Sequence, residues 1–160
     1  SLFNRDDFFS GPSFCIEDGN NLMQIEAGYM FRFSAKRILT EGMNNTYYQL
    51  WEKRNNLYLL FKKNYHILTK RKSDILAGVG IQAIHSFGSY RAFGEKASEM
   101  TLLSPHIETT VSFKNLRFIL GYQYTDFRLH QISPHWVKLG LSYRFSLYHP
   151  HKHNKTILIQ

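Results

Sequence analysis

The sequence predicts an all-β fold, an eight-stranded antiparallel up-and-down transmembrane β-barrel over residues 1–146, with 147–160 as a C-terminal tail. Three observations predict it. Apolar and polar residues alternate with a period of two over stretches of nine or more residues, the pattern of a strand with two unlike faces. Those stretches reach the about 9–11 residues that a tilted strand needs to cross a membrane, where an average soluble strand has about 5–6. Aromatic residues make up 16% of the chain, and on the alternating segments they gather toward the ends of the apolar face.

Taken in order, residues 7–17 alternate poorly and contain Gly11 and Pro12, which suits an edge, a bulge or a loop. Residues 22–34 are clear: Met23, Ile25, Ala27, Tyr29, Phe31 and Phe33 share one face, and Gln24, Glu26, Gly28, Met30, Arg32 and Ser34 lie on the other. Residues 45–53 are aromatic enough for a strand without a decided apolar face. Residues 56–68 alternate through Leu57, Leu59 and Phe61, with Lys63 on the apolar side. Strands at 73–88, 105–114, 116–129 and 134–146 complete the count, the last setting Val137, Leu139, Leu141, Tyr143 and Phe145 against Trp136, Lys138, Gly140, Ser142 and Arg144. The connections 114–115 and 69–73 are short, 35–44 is longer, and 88–104 is the longest; 130–134 joins the last two strands. An even strand count returns both ends to one side of a membrane.

Composition narrows the class. No run approaches the about 20 apolar residues of a membrane helix. Hydrophobic residues are 43% and net charge is +8; that charge suits solvated basic loops, anionic head groups or nucleic acid alike. The basic residues form no single run and no nucleic-acid recognition motif is present, so no nucleic-acid partner is expected. Cys15 is the only cysteine, which excludes an internal disulfide and a thiolate zinc cluster. The first residues, Ser1-Leu2-Phe3-Asn4-Arg5, lack the basic start and apolar run of a secretory signal; an outer-membrane precursor needs one, so the numbering reads as that of a mature or a trimmed chain.

The polar face decides between a soluble barrel, which buries its apolar face, and a membrane barrel, which inverts it. It carries Glu26, Arg32, Glu108, Arg117, Lys138 and Arg144. An eight-stranded interior is just wide enough for side chains, so charges there must pair. Glu26 and Glu108 are expected to pair with two of Arg32, Arg117, Lys138 and Arg144. On the apolar face Tyr29, Phe31, Phe33, Phe118, Tyr122, Tyr124, Tyr143 and Phe145 are expected to face lipid as aromatic girdles, where amphipathic rings settle at an interface.

The run Lys138-Leu139-Gly140-Leu141-Ser142-Tyr143-Arg144-Phe145 resembles the β-signal of bacterial outer-membrane barrels. Lys138, Gly140, Leu141, Tyr143 and Phe145 match its polar, glycine, apolar and two aromatic positions. With the upstream alternation, the chain is similar in architecture to small barrels of the OmpA/OmpX type. In that family the signal closes the chain; here fifteen residues follow Phe145, so 147–160 becomes a periplasmic tail, with His149, His151 and His153 in alternation. The resemblance implies a bacterial outer-membrane location, outer-membrane lipid as surroundings, the barrel-assembly machinery as a partner during insertion, and other envelope proteins as partners of wall, loops or tail.

Searches for chemistry return little. There is no phosphate loop, dinucleotide fingerprint, nucleophile elbow or zinc-protease motif, and no cofactor or metal is expected. Ser104, His106 and Glu108 lie on one strand face and raise a lipid-modifying hydrolase as an alternative, although that face is the lumen. The expected function is non-enzymatic: an integral outer-membrane barrel, structural or an accessory subunit of a cell-envelope complex. The alternatives are an adhesion barrel acting through its outer loops and a soluble lipocalin-like binder.

Overall fold

A computed structural model describes residues 1–18, 22–41, 47–70, 73–91, 96–127 and 133–145. Among these residues ten strand segments occur: β1 (Leu2–Phe3), β2 (Phe8–Ser10), β3 (Ser13–Asp18), β4 (Met23–Arg32), β5 (Lys36–Glu41), β6 (Tyr47–Lys70), β7 (Ser73–Tyr90), β8 (Lys96–Phe113), β9 (Leu116–Tyr124) and β10 (His135–Tyr143). They make eight staves. β2 and β3 both pair with β4 in one continuous register, Ser10 facing Phe31 and Ser13 facing Gly28; Pro12, which has no amide donor, separates them. β4 and β5 both pair with β6. The remaining strands pair with their sequence neighbours, and β1 closes the ring between β10 and β2.

The result is a closed antiparallel eight-stranded barrel. Following pairs from Lys138 through β9, β8, β7 and β6 arrives at Leu22. Following them the other way, through Leu2 and Phe9, arrives at Arg32, ten residues along the same stave. A ring of eight with that stagger tilts its strands by roughly 40°.

The eight staves are composed differently from the expected eight strands. The segments expected at 45–53 and 56–68 are one 24-residue strand. Asn55 and Asn56, a turn-like pair in sequence, run straight because each is paired on both sides, Asn55 with Phe31 and Phe87 and Asn56 with Met30 and Ser86. The eighth stave is instead the two-residue β1. Most of the expected connection 88–104 is ladder, since β7 runs to Tyr90 and β8 starts at Lys96. Within the expected connection 35–44, Lys36–Glu41 is strand. Pro105 is tolerated in β8 because the β8–β9 ladder stops at His106 facing Gln123, one residue before it. Residues 146–160, including the three tail histidines, lie outside the described ones.

Candidate functional site

The inside and outside of the barrel are opposite in character, and the pleat makes them so. On β6 the residues from Glu52 to Asn64 alternate without a fault between buried and outward positions: Glu52, Arg54, Asn56, Tyr58, Leu60, Lys62 and Asn64 point in. Outward on the same strand stand Leu57, Leu59, Phe61, Tyr65 and Ile67. On β8 the outward row runs Leu103, Pro105, Ile107, Thr109, Val111 and Phe113. Each belt spans eleven residues, Leu57–Ile67 and Leu103–Phe113, the length a tilted strand needs to cross a hydrocarbon layer. Leu103 is 75% exposed and Leu141 67%, values a buried soluble core would not give.

The aromatic residues singled out in the sequence all stand on this outer wall. Tyr29, Phe33, Phe118, Tyr122, Tyr124, Tyr143 and Phe145 are exposed, and Phe31 is half-buried between Tyr29 and Phe33. Tyr143 and Phe145 pack with tilted rings at the lower end, 4.7 Å between ring centres. Phe8, Phe31 and Phe33 cluster near the upper end. Lys63 stands outward too, with its ammonium over the ring of Tyr65.

The lumen is filled in tiers. At the top Arg32 pairs with Asp7 and, at 3.4 Å, with Glu52, which also holds Arg54. Arg54 donates onward to the Ser86 hydroxyl at 3.1 Å. Below lies an apolar plug of Leu2, Phe9, Met30, Ile84, Phe127 and Trp136. Trp136 packs edge-on against Phe127 and donates its indole N–H to the Thr125 carbonyl, 3.2 Å. Beneath the plug, Lys138 Nζ reaches both Glu26 oxygens at 3.1 and 3.2 Å and lies 3.5 Å from Glu108. Tyr58 donates to Glu26 at 2.5 Å. Glu108 is further held by Lys62, by His106 Nε2 at 2.8 Å and by Thr110 at 3.3 Å. At the lower rim Glu17 accepts from Arg117 and Arg144, 2.5 and 3.0 Å.

Among the described residues, five inward carboxylates (Asp7, Glu17, Glu26, Glu52, Glu108) thus meet five inward bases (Arg32, Arg54, Lys62, Arg117, Lys138). Of the partners proposed from sequence for Glu26 and Glu108, Lys138 serves both. Arg32 and Arg117 are inward but turn to other acids, and Arg144 is an exposed rim residue rather than a lumen one. Sequence reasoning missed Lys62, Glu52, Arg54 and Asp7. Lys62 was legible, since it alternates with Leu59 and Phe61; Glu52 and Arg54 were hidden by the mistaken break in β6, and Asp7 by the weakness of its strand.

Bulky lumen groups need small neighbours. A Cβ on Gly28 would lie 2.5 Å from the Tyr58 ring, and one on Gly78 would lie 2.7 Å from Asn64 and 3.2 Å from Glu108. Glycine at both positions is what lets Tyr58 and Glu108 cross the lumen.

The β-signal residues divide between the faces: Leu141, Tyr143 and Phe145 point outward, and Lys138 and Gly140 inward. Ser104, His106 and Glu108 are all buried. Ser104 donates to the Tyr124 carbonyl at 2.6 Å and accepts from Thr125, while His106 bonds to Glu108. The described residues hold no cluster of three or more metal-ligating side chains. No protein-family model and no curated protein matches this sequence.

Proposed function

We propose that the protein is a non-enzymatic integral barrel of a bacterial outer membrane, structural or accessory in a cell-envelope complex. One observation carries this reading: ionic side chains are paired inside, and the outer wall is an apolar belt eleven residues tall on β8 and, interrupted by Lys63, on β6. A soluble barrel in water would place these two surfaces the other way round, because burying charge is costly and burying apolar area favourable. The short two-residue turn between β8 and β9 lies at the same end as the last strand's exit, which suits a periplasmic lower end with lipid around the belt. The apolar plug and the paired charges leave a solute little path through the lumen, so the reading assigns no transport. Phe145 and its neighbours on β10 would be read by the assembly machinery during insertion.

A second reading, docking or adhesion through the outer end, is favoured by one further feature. β6, with 24 residues, is about 80 Å long at about 3.3 Å per residue. Above Leu57 its outward residues are Asn55, Lys53, Trp51 and Gln49. β5, β6, β7 and β8 therefore carry a paired wall well past the belt, a surface for a partner.

Membrane insertion is tested by electrophoresis with and without heating, and by circular dichroism in detergent. Heat-modifiable mobility with a β-type spectrum is expected; a monomer that stays folded in plain buffer would overturn the assignment. Affinity capture from detergent-solubilised envelopes, against binding of intact cells to matrix ligands, separates the accessory from the adhesive role.

A further inference from the structure

The upper rim carries an open cleft between two departures from regular strand. One is the turn 4–7 between β1 and β2. There the Asn4 side-chain oxygen accepts from the amides of Asp6 and Asp7 at 2.8 and 2.7 Å, and its NH2 group donates to the Ser133 carbonyl at 2.8 Å. The other is a bulge between β4 and β5. The chain takes five steps from Phe31 to Lys36 while β6 takes three from Asn55 to Glu52, so two extra residues loop out of the wall. The cleft has a volume of about 480 Å³, within the about 300–1,000 Å³ of small-molecule sites.

Its lining changes character with height. Phe8 and Phe33, both exposed, stack with ring centres 5.9 Å apart and form the side nearest the membrane belt. Arg5, Lys36 and Arg37 line the side beyond them. The ion pairs among the described residues include none of these three; Lys36 donates to the Asp6 carbonyl and Arg37 to the Gln49 side chain, both neutral acceptors. Two carboxylates also line the cleft. Asp7 is held by Arg32 through both oxygens, and Asp6 accepts from the Ser133 amide at 3.1 Å. With Asp7 matched by Arg32, three cations face one acid.

We infer that the cleft is a headgroup subsite for a lipid that bears a phosphate monoester, in the leaflet around the upper end. The inference rests on the membrane reading and gives the wall a specific neighbour. A phosphate monoester carries close to two negative charges and three acceptor oxygens, which complement two guanidinium forks and an ammonium. The volume exceeds what a bare phosphate needs and leaves room for the glycerol or sugar that carries it. Below, the stacked rings continue through Phe31 and Tyr29 on the outer wall, a path for acyl chains. Arg5 precedes Phe8 by three residues, and Lys36 and Arg37 follow Phe33 by three and four. The cations therefore stand just past an aromatic girdle, at headgroup height, where each basic residue attracts anionic lipid. A zwitterionic headgroup brings its own cation and gains less.

The test is native mass spectrometry of the full chain in detergent, titrated with dioleoyl phosphatidic acid or with dioleoyl phosphatidylcholine, which differ in headgroup alone. Fold is verified beforehand by heat-modifiable mobility. The parent should retain phosphatidic acid in preference to phosphatidylcholine. Arg5→Gln with Arg37→Gln should cut that preference by about thirtyfold, and Arg5→Gln alone by about fivefold, if each basic residue contributes independently. Lys63→Gln with Lys70→Gln, at the lower end, should leave it unchanged. Equal retention of the two lipids by the parent would overturn the subsite, as would a preference that survives the double arginine variant or falls equally in the lysine variant. Inorganic phosphate that displaces the lipid at matched concentration would overturn the part assigned to the acyl chain and rings. A monomer folded in plain buffer would sink the membrane reading separately, since the two-lipid comparison still decides what the cleft holds.

Discussion

Lys138 is the residue on which the lower lumen depends, because its ammonium lies between Glu26 and Glu108. Removing one partner of a buried ion pair leaves a charge without compensation and costs about 3–5 kcal/mol. Lys138→Met should therefore lower the midpoint of heat-modified unfolding markedly, and adding Glu26→Gln should recover part of the loss; a single variant as stable as the parent would contradict the pairing. Size is as constrained as charge. Gly28→Ala places a methyl 2.5 Å from the Tyr58 ring, and overpacking of this kind costs about 1–3 kcal/mol. The same measurement checks it, and Gly28→Ala with Tyr58→Phe should not regain full stability, because the ring remains while its bond to Glu26 is lost.

Strands and turns carry their own prediction. β8 and β9 are joined by Lys114 and Asn115, and Lys114 has φ of 52°. A side chain in this left-handed region costs about 1–2 kcal/mol relative to glycine, offset in part by glycine's looser unfolded chain. Lys114→Gly should stabilise the barrel by roughly 0.5–1 kcal/mol, read as a higher unfolding midpoint in denaturant. Strand legibility followed local chemistry. Residues 116–124 and 135–143 were readable as strands because alternation there is uninterrupted. Residues 96–104 were not, since Lys96, Ser98 and Glu99 resemble loop residues; pairing of Lys96, Ala97 and 100–104 with β7 holds the segment extended around an irregularity at Ser98 and Glu99. β1 is two residues long and has no period at all; its position comes wholly from its two neighbours.

For the molecule as a whole, the sign of the outer wall is the decisive property. Leu120 faces outward at 57% exposure, paired with Leu139 and Thr109. An arginine there would cost about 2–4 kcal/mol near a bilayer midplane and almost nothing against water. Leu120→Arg should thus reduce folding yield into lipid vesicles sharply; unchanged vesicle folding would count against a lipid-facing wall. An outward-facing Lys63 fits the same wall because it pairs with Met23 at the lower end of β4, where charge can reach an interface.

The sequence by itself determined the all-β class, the inward and outward faces of the clearly alternating strands, and the presence of Glu26, Glu108 and Lys138 on one face. A pleated strand has a period of two, so a strand's faces are a local property that alternation reports. Only the tertiary structure decided that 47–70 is one strand, that Leu2–Phe3 completes the ring, and that Lys62 is the added partner of Glu108. Those outcomes depend on register between strands far apart in sequence and on the ten-residue stagger around the barrel. Closure is a condition on all eight staves together, and no single stretch of sequence contains it.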